Sequence, residues 1–203
     1  MAPASLVRLC PERGITCLAV TDHNRIDGAL EAQALAPASL RVIVGEEIRT
    51  AEGEIIGLFL EEAIPRDLSP EESCERIKAQ DGVVYVPHPF DRFRRSPIRR
   101  AALDRVRDRV DALEVLNARN LWPGHDAAAV AYARRWDIAG GAGSDAHTPF
   151  EVGNAWVEIE DFRSPQEFLA ALRHGRVGGR HAGPWVHFIT RWVRLRKTLA
   201  AQH

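Results

Sequence analysis

The chain has 203 residues, 45% of them hydrophobic and 27% charged, enough to bury a core in one domain with at most a short appendage. Its 27 Lys and Arg against 28 Asp and Glu leave a net charge of -1, which excludes a globally basic nucleic-acid binder and an acidic disordered chain. No apolar run approaches the roughly 18 residues of a membrane span. Residues 1–11 lack the apolar stretch of a secretory signal, and three cysteines without a Cys-x-x-Cys pair point to a reducing cytoplasm.

Taken in order, Ser5 to Glu12 reads as a helix with no strand before it. Ile15 to Thr21 is a β-branched strand, and Asp27 to Ala36 a helix. Arg41 to Val44 is a strand that runs on to Thr50, turns at Ala51-Glu52-Gly53-Glu54 and returns through Ile55 to Leu60. Ser69 caps the next helix, with Pro70 in its first turn and Glu72 at the capping-box position. Val83 to Pro87 and Leu113 to Leu116 are buried strands, and Pro123 to Trp136 is a helix. Ile138 to Gly143 is a Gly-rich strand, so something packs close to its backbone. Ala155 to Ile159 is a short strand, and Ser164 starts a helix over Glu167 to His174. This alternation implies an α/β fold with a mostly parallel sheet.

Chemistry-bearing residues follow four of these strands: Asp22 and His23, Glu46 and Glu47, His88 between two prolines, and Asp145 with His147. In α/β folds the carboxyl ends of strands share one mouth, where ligands bind. Histidines and carboxylates without Cys suit Zn, Mn or Fe, and several anionic ligands favour more than one ion, as in phosphoryl-transfer sites. Taken singly, each residue has a plainer reading: a loop or core His, an Asp capping the next helix, a solvent-facing Glu. Position at four strand ends raises the set above those readings. The other histidines, at 125, 174, 181, 187 and 203, follow no such pattern and read as surface or helix residues.

Thr21-Asp22-His23-Asn24, Gly45-Glu46-Glu47-Ile48, Pro87-His88-Pro89 and Gly143-Ser144-Asp145-Ala146-His147-Thr148 resemble, in this order, the motifs of the PHP (polymerase and histidinol phosphatase) superfamily. The resemblance covers roughly residues 14–180. It implies a distorted (β/α)7 TIM-like barrel and a metal-dependent phosphoesterase holding up to three divalent ions. It implies His23, Glu47, His88, Asp145 and His147 as metal ligands, with Glu47 bridging, while Asp22 orients a neighbouring ligand from behind. The chain lacks the family's opening strand with His-x-His, so the barrel is expected without its first strand, as in a truncated version of a longer protein. The strand after Glu47 reads Ile55-Ile56-Gly57, without the His the family often carries there. By the family pattern three pairs remain: Glu47 with Asp145, Glu47 with His88, and His23 with His147.

Eight arginines fall between Asp91 and Arg109. Arg92, Arg94 and Arg95, nearest His88, are the expected contacts for a phosphorylated substrate; the rest read as a solvated helix face. Residues 1–180 form the expected domain. Residues 181–203 form a basic amphipathic helix, with Trp185, Phe188, Ile189, Trp192 and Leu199 as its apolar stripe, packing on that domain or on a partner. The leading expectation is a cytoplasmic hydrolase of a nucleotide, short oligonucleotide or small phosphorylated metabolite, using metal-activated water. A degenerate, non-catalytic interaction module is the alternative, and nucleic-acid binding through the Arg-rich stretches a weaker third. No membrane partner is expected.

Overall fold

The computed structural model describes residues 1–94 and 96–183. Arg95 and nearly all of the C-terminal segment, residues 184–203, lie outside the described residues. Helix α1 (Pro3–Glu12) precedes β1 (Cys17–His23) and α2 (Asp27–Leu35). The long strand β2 (Arg41–Thr50) turns into β3 (Gly53–Leu58), which leads to α3 (Pro70–Lys78) and β4 (Val83–Val86). Then follow α4 (Arg100–Val106), β5 (Ala112–Asn117), α5 (Pro123–Trp136) and β6 (Ala139–Gly143). The hairpin β7 (Ala155–Glu158) and β8 (Arg176–Gly179) encloses α6 (Pro165–Arg173).

The main sheet has six strands in the order β1-β2-β3-β4-β5-β6, and β7-β8 is a separate antiparallel pair. Within the sheet β1, β2, β4, β5 and β6 run the same way; β3 alone is reversed, because the tight turn after Thr50 makes it antiparallel to both neighbours. Two consequences place the site. The carboxyl ends of five strands share one edge, and the amino end of β3 lies at that same edge.

Side chains alternate between two apolar layers, as the pleat requires. Ile55, Val84 and Val86 join Ile48, Ile77, Leu103 and Leu113 in one cluster; Ile56, Val83 and Tyr85 join Ile43, Ala112 and Ala139 in the other. The second layer is closed by α6 and a trio of edge-on aromatic rings, Phe59, Phe162 and Phe168, with centroids 5.1 to 6.2 Å apart. Helix α1 packs through Val7 and Cys10 against Ala32 of α2 and Val42 of β2. Both expected caps form: Ser69 Oγ accepts from Glu72 N at 3.1 Å, and Ser164 Oγ from Glu167 N at 3.2 Å. No helix among the described residues is long and apolar enough to cross a membrane.

The Gly-rich β6 has the expected close neighbours. A Cβ at Gly141 would overlap the Tyr85 ring, and one at Gly143 would overlap the Glu114 carboxylate. Helix α4 falls in the arginine-rich stretch expected as a solvated helix face, whereas strand β8 and an irregularity in β5 were not expected. That strand carries a bulge between Glu114 and Leu116, so one extra residue stands opposite β6.

Candidate metal centre

The register of two parallel strands makes the first contact. His23 pairs with Glu47 across β1 and β2, so both side chains leave the same face. Asn24, at a positive φ of 53°, ends β1: its N–H donates to Glu47 O at 3.1 Å and its Oδ1 accepts from Arg49 N at 2.9 Å. Glu46 points the other way, buried, with Oε2 accepting from Ile64 N at 2.7 Å. Period-two alternation thus separates the two adjacent glutamates. Asp22, next to His23, is exposed and lies against Gly28 in the first turn of α2.

His88 follows β4 in a strained conformation, φ 28°, between two prolines that cannot relax it. Its Nε2 lies 3.2 Å from Glu47 Oε1, while Glu47 Oε2 lies 3.4 Å from His23 Nδ1. Glu54 is the residue that reading strand ends misses. At the start of the reversed β3, it places Oε1 3.8 Å from His23 Nδ1 and Oε2 3.8 Å from His88 Nε2. Each carboxylate therefore faces both imidazoles. One ligand atom from each of His23, Glu47 and Glu54 lies within 4.8 Å of the others. The strand after Glu47 lacks the family's His as expected, but its apolar run begins one residue after a buried glutamate that joins this cluster.

Electrostatics fit a cation site. Burial pushes the Glu54 carboxyl above its ordinary pKa and the adjacent Glu47 adds to this, against opposing help from Ser96, His88 and His23. Burial pulls His88 down, but its bond to Glu47 and the charges of Glu114 and Glu47 outweigh it, and the net shift is upward. Two crowded carboxylates with imidazole partners are a donor set that a divalent ion satisfies, and this mix of oxygen and nitrogen suits Zn, Mn or Fe.

The opposite side of the mouth is built differently. Asp145, after β6 at φ 48°, is ion-paired with Arg94. Arg94 also bonds Asp91 through Nε at 3.1 Å and Asn117 Oδ1 at 3.3 Å. Burial acts to raise the Asp145 pKa, yet Arg94 above all, with His88, His147 and Arg119, holds it below the ordinary value. His147 Nδ1 lies 2.6 Å from Arg119 Nη1 and 2.9 Å from Asp145 O; burial leaves its pKa lowered. Glu151 fixes this loop, accepting from His147 N at 3.1 Å and Thr148 N at 2.8 Å while meeting Arg119 at 3.1 Å.

Glu114 and Asn117 join the two sides. The bulge after Glu114 turns residues three apart onto one face, as bulges beside sites commonly do. Asn117 Nδ2 then donates to Glu114 Oε2 at 2.8 Å and reaches Asp145 Oδ2 at 3.4 Å, while the same Glu114 oxygen accepts from His88 N at 2.6 Å. Burial raises the Glu114 pKa to about 7 against the pull of His88 and Asn117.

Of the expected site residues, His23, Glu47 and His88 meet in one cluster, and Asp145, His147 and Arg94 in its neighbour. Arg92 is exposed. Glu54, Glu114, Asn117, Arg119 and Glu151 were missed. A Glu opening an apolar strand was the legible signal for Glu54; the others depend on the bulge and on a loop fold. His125 in α5 and the exposed His181 are the helix and surface residues expected, but both are ion-paired. His125 is nearly buried, its Nδ1 3.3 Å from Asp91, and His181 Nε2 lies 2.7 Å from Asp126.

An α/β sheet with carboxylates and imidazoles converging at its carboxyl edge defines a candidate metal-centre protein. Comparison with known proteins agrees. The sequence model of a family described as PHP-associated matches residues 125–177. MJ0417 of Methanocaldococcus jannaschii, itself uncharacterised, is 35% identical over 178 residues, 83% of this chain and 70% of that protein. MJ1587 of the same organism, also uncharacterised, is 46% identical over 118 residues, 57% of this chain and 66% of that one. A two-domain protein of Bacteroides vulgatus containing a predicted PHP-like metal-dependent phosphoesterase superposes with a TM-score of 0.70 at 17% identity, over 89% of this chain and 60% of that one. The lesion-specific endonuclease PfuEndoQ of Pyrococcus furiosus superposes at 0.60 and 15% identity, over 87% and 52%. The chain belongs to the PHP superfamily. It spans less than two thirds of the length of MJ1587 and of the Bacteroides protein.

Proposed function

We propose that the protein hydrolyses a phosphoester at a divalent-metal centre held by His23, Glu47, Glu54 and His88, with Asp145 and His147 serving the neighbouring side. The observation that carries this reading is the double facing of Glu47 and Glu54, each with one oxygen toward His23 and the other toward His88. Zn, Mn or Fe bound there would supply an activated water and neutralise phosphoryl oxygens. Arg94 would orient a phosphoryl oxygen from the Asp145 side through a charge-assisted hydrogen bond. Arg92, which is exposed, would meet the substrate from solvent. Glu114 holds the His88 main chain, and through Asn117 it holds Asp145, so the two sides keep a fixed spacing. Asp22 remains in the proposal as a support for His23.

The substrate class is a nucleotide, a short oligonucleotide or a small phosphorylated metabolite. The full (β/α)7 barrel belongs to the same proposal: β1 has β2 as its partner among the described strands, and the family's first strand would pair along its other edge. A cytoplasmic setting suits three free thiols, with Cys17 and Cys74 pushed by burial to about 11 and about 12. A non-catalytic role is favoured by one observation, that Asp145 is charge-balanced by Arg94.

Elemental mass spectrometry of the purified chain decides between them. About one or more Zn, Mn or Fe per chain, lost in His88→Ala, together with phosphoesterase activity, supports the hydrolase. Protein without metal above background, inert toward phosphoesters after metal addition, overturns it.

A further inference from the structure

We propose that His181, backed by Asp126, donates the proton to the leaving group of the phosphoester; this rests on the hydrolase reading above. His181 sits two residues past the end of the β7-β8 hairpin, in a segment fixed on both sides. Arg180 N donates to Asn154 O at 2.7 Å, and Ala182 N to Ala118 O at 2.7 Å. Ala118 directly follows β5 and its N–H bonds Gly143 O at the end of β6, so the second bond lays His181 at the carboxyl edge of the sheet, on the Asp145 side of the mouth.

Its partner is prearranged. Asp126 stands in the first turn of α5. Its Oδ1 accepts from Asn117 N at 3.2 Å and Asn120 Nδ2 at 2.5 Å, which turns Oδ2 toward His181 Nε2 at 2.7 Å. The carboxylate is thus oriented by two donors and in turn orients an imidazole, the arrangement of a general acid–base pair. Asn117 links this pair to the site, because its side chain also reaches Asp145 Oδ2 at 3.4 Å. One residue separates the dyad from the Asp145 side.

The other histidines of the mouth are committed elsewhere. His23 and His88 face Glu47 and Glu54, His147 faces Arg119, and His125 is hemmed in by Asp91 and the Phe93 ring, 5.5 Å away. His181 keeps 34% of its side chain exposed, open to a substrate entering from solvent. With Nε2 held by Asp126, Nδ1 is the atom that carries the proton. In the step, the oxygen of water forms a bond to phosphorus and gives up a proton to solvent. The bond from phosphorus to the ester oxygen breaks, its electron pair stays on that oxygen, and the His181 imidazolium protonates it. The neutral imidazole then recovers a proton from solvent, leaving phosphate and an alcohol.

A leaving group that needs no proton tests this. The metal-loaded chain is assayed with glycerol phosphate, whose alkoxide departs poorly, and with p-nitrophenyl phosphate, whose phenolate departs as a stable anion. Expected for His181→Ala is a kcat loss of about a hundredfold or more on the alkyl ester, in the range of general-acid contributions, and a loss under about threefold on the aryl ester. Asp126→Asn shows the same asymmetry in weaker form. His181→Gln, which keeps a neutral donor for Asp126, matches His181→Ala in kinetics and the wild type in melting temperature and metal content. Equal losses on both esters in His181→Gln, or none on the alkyl ester, overturn the assignment and leave His181 as a clamp for its segment. A metal-loaded wild type that cleaves neither ester, nor a nucleotide or a short oligonucleotide, overturns the hydrolase reading itself, and the assignment with it.

Discussion

The two sides of the mouth solve the problem of buried charge in opposite ways. Around His23, Glu47, Glu54 and His88, carboxylates are set against imidazoles, which neutralise them only when protonated. Around Asp145 and His147, permanent cations do the work: Arg94 on Asp145, Arg119 on Glu151 and beside His147. Burying an uncompensated charge is costly, so the first side gains from an external cation and the second is already balanced. In the proposed function the first side takes the metal ion, while the second meets the substrate with arginines already held by Asp91, Asp145 and Glu151.

Exchanging the character of the first side has the largest expected effect. Glu47→Gln removes the charge facing both histidines, and metal affinity falls by about a hundredfold, in line with losses on disturbing metal ligation. Glu46→Gln, whose carboxyl faces Ile64, leaves metal affinity within about threefold, since it removes no coordinating group. Equal effects on titration calorimetry would reject the choice of carboxylate. Glu54→Gln weakens binding by about tenfold, and an unchanged affinity would return Glu54 to a structural role.

The joint between the sides comes next. Gly143→Ala drives a methyl into the Glu114 carboxylate and costs about 1–3 kcal/mol in chemical denaturation, as overpacking does. In the double variant with Glu114→Ala part of that cost is recovered; additive losses would show that the clash lies elsewhere. On the second side, Arg94→Ala raises KM for a phosphoester by about tenfold, the worth of one charge-assisted contact, with a smaller change in kcat. A pure kcat effect would remove Arg94 from substrate binding.

A pH titration of stability, on metal-free protein, gives the smallest effect. Glu114 has a pKa raised to about 7, so the folded state holds its proton more tightly than the unfolded chain. That stability is fully present below the ordinary Glu range and is lost as pH rises through about 7. His88, also raised, acts in the same direction. Glu114→Gln therefore flattens the fall in the denaturation midpoint between pH 5 and 7.5; an unchanged slope would assign it to His88.

How much of the site was legible follows the strand direction. His23, Glu47, His88, Asp145 and His147 stand at or after the carboxyl ends of parallel strands, where the rule for α/β folds looks. Glu54 does not: the turn after Thr50 reverses β3, so its beginning, not its end, lies at the mouth. Asn117 escaped for a related reason. Simple alternation puts it on the face opposite Glu114, and the bulge puts it on the same one.

The sequence by itself determined the alternation of strands and helices, the caps at Ser69 and Ser164, and the residue types at most strand ends, because these depend on period, turn chemistry and local hydrogen bonding. It also carried the split between Glu46 and Glu47, which the pleat enforces. Only the tertiary structure decided that Glu54 faces both histidines, that Arg94 holds Asp145, and that His181 meets Asp126 across 55 positions. These pairings join segments far apart in the chain, and their geometry follows from strand order, a bulge and backbone at positive φ, none of which a local pattern of residues specifies.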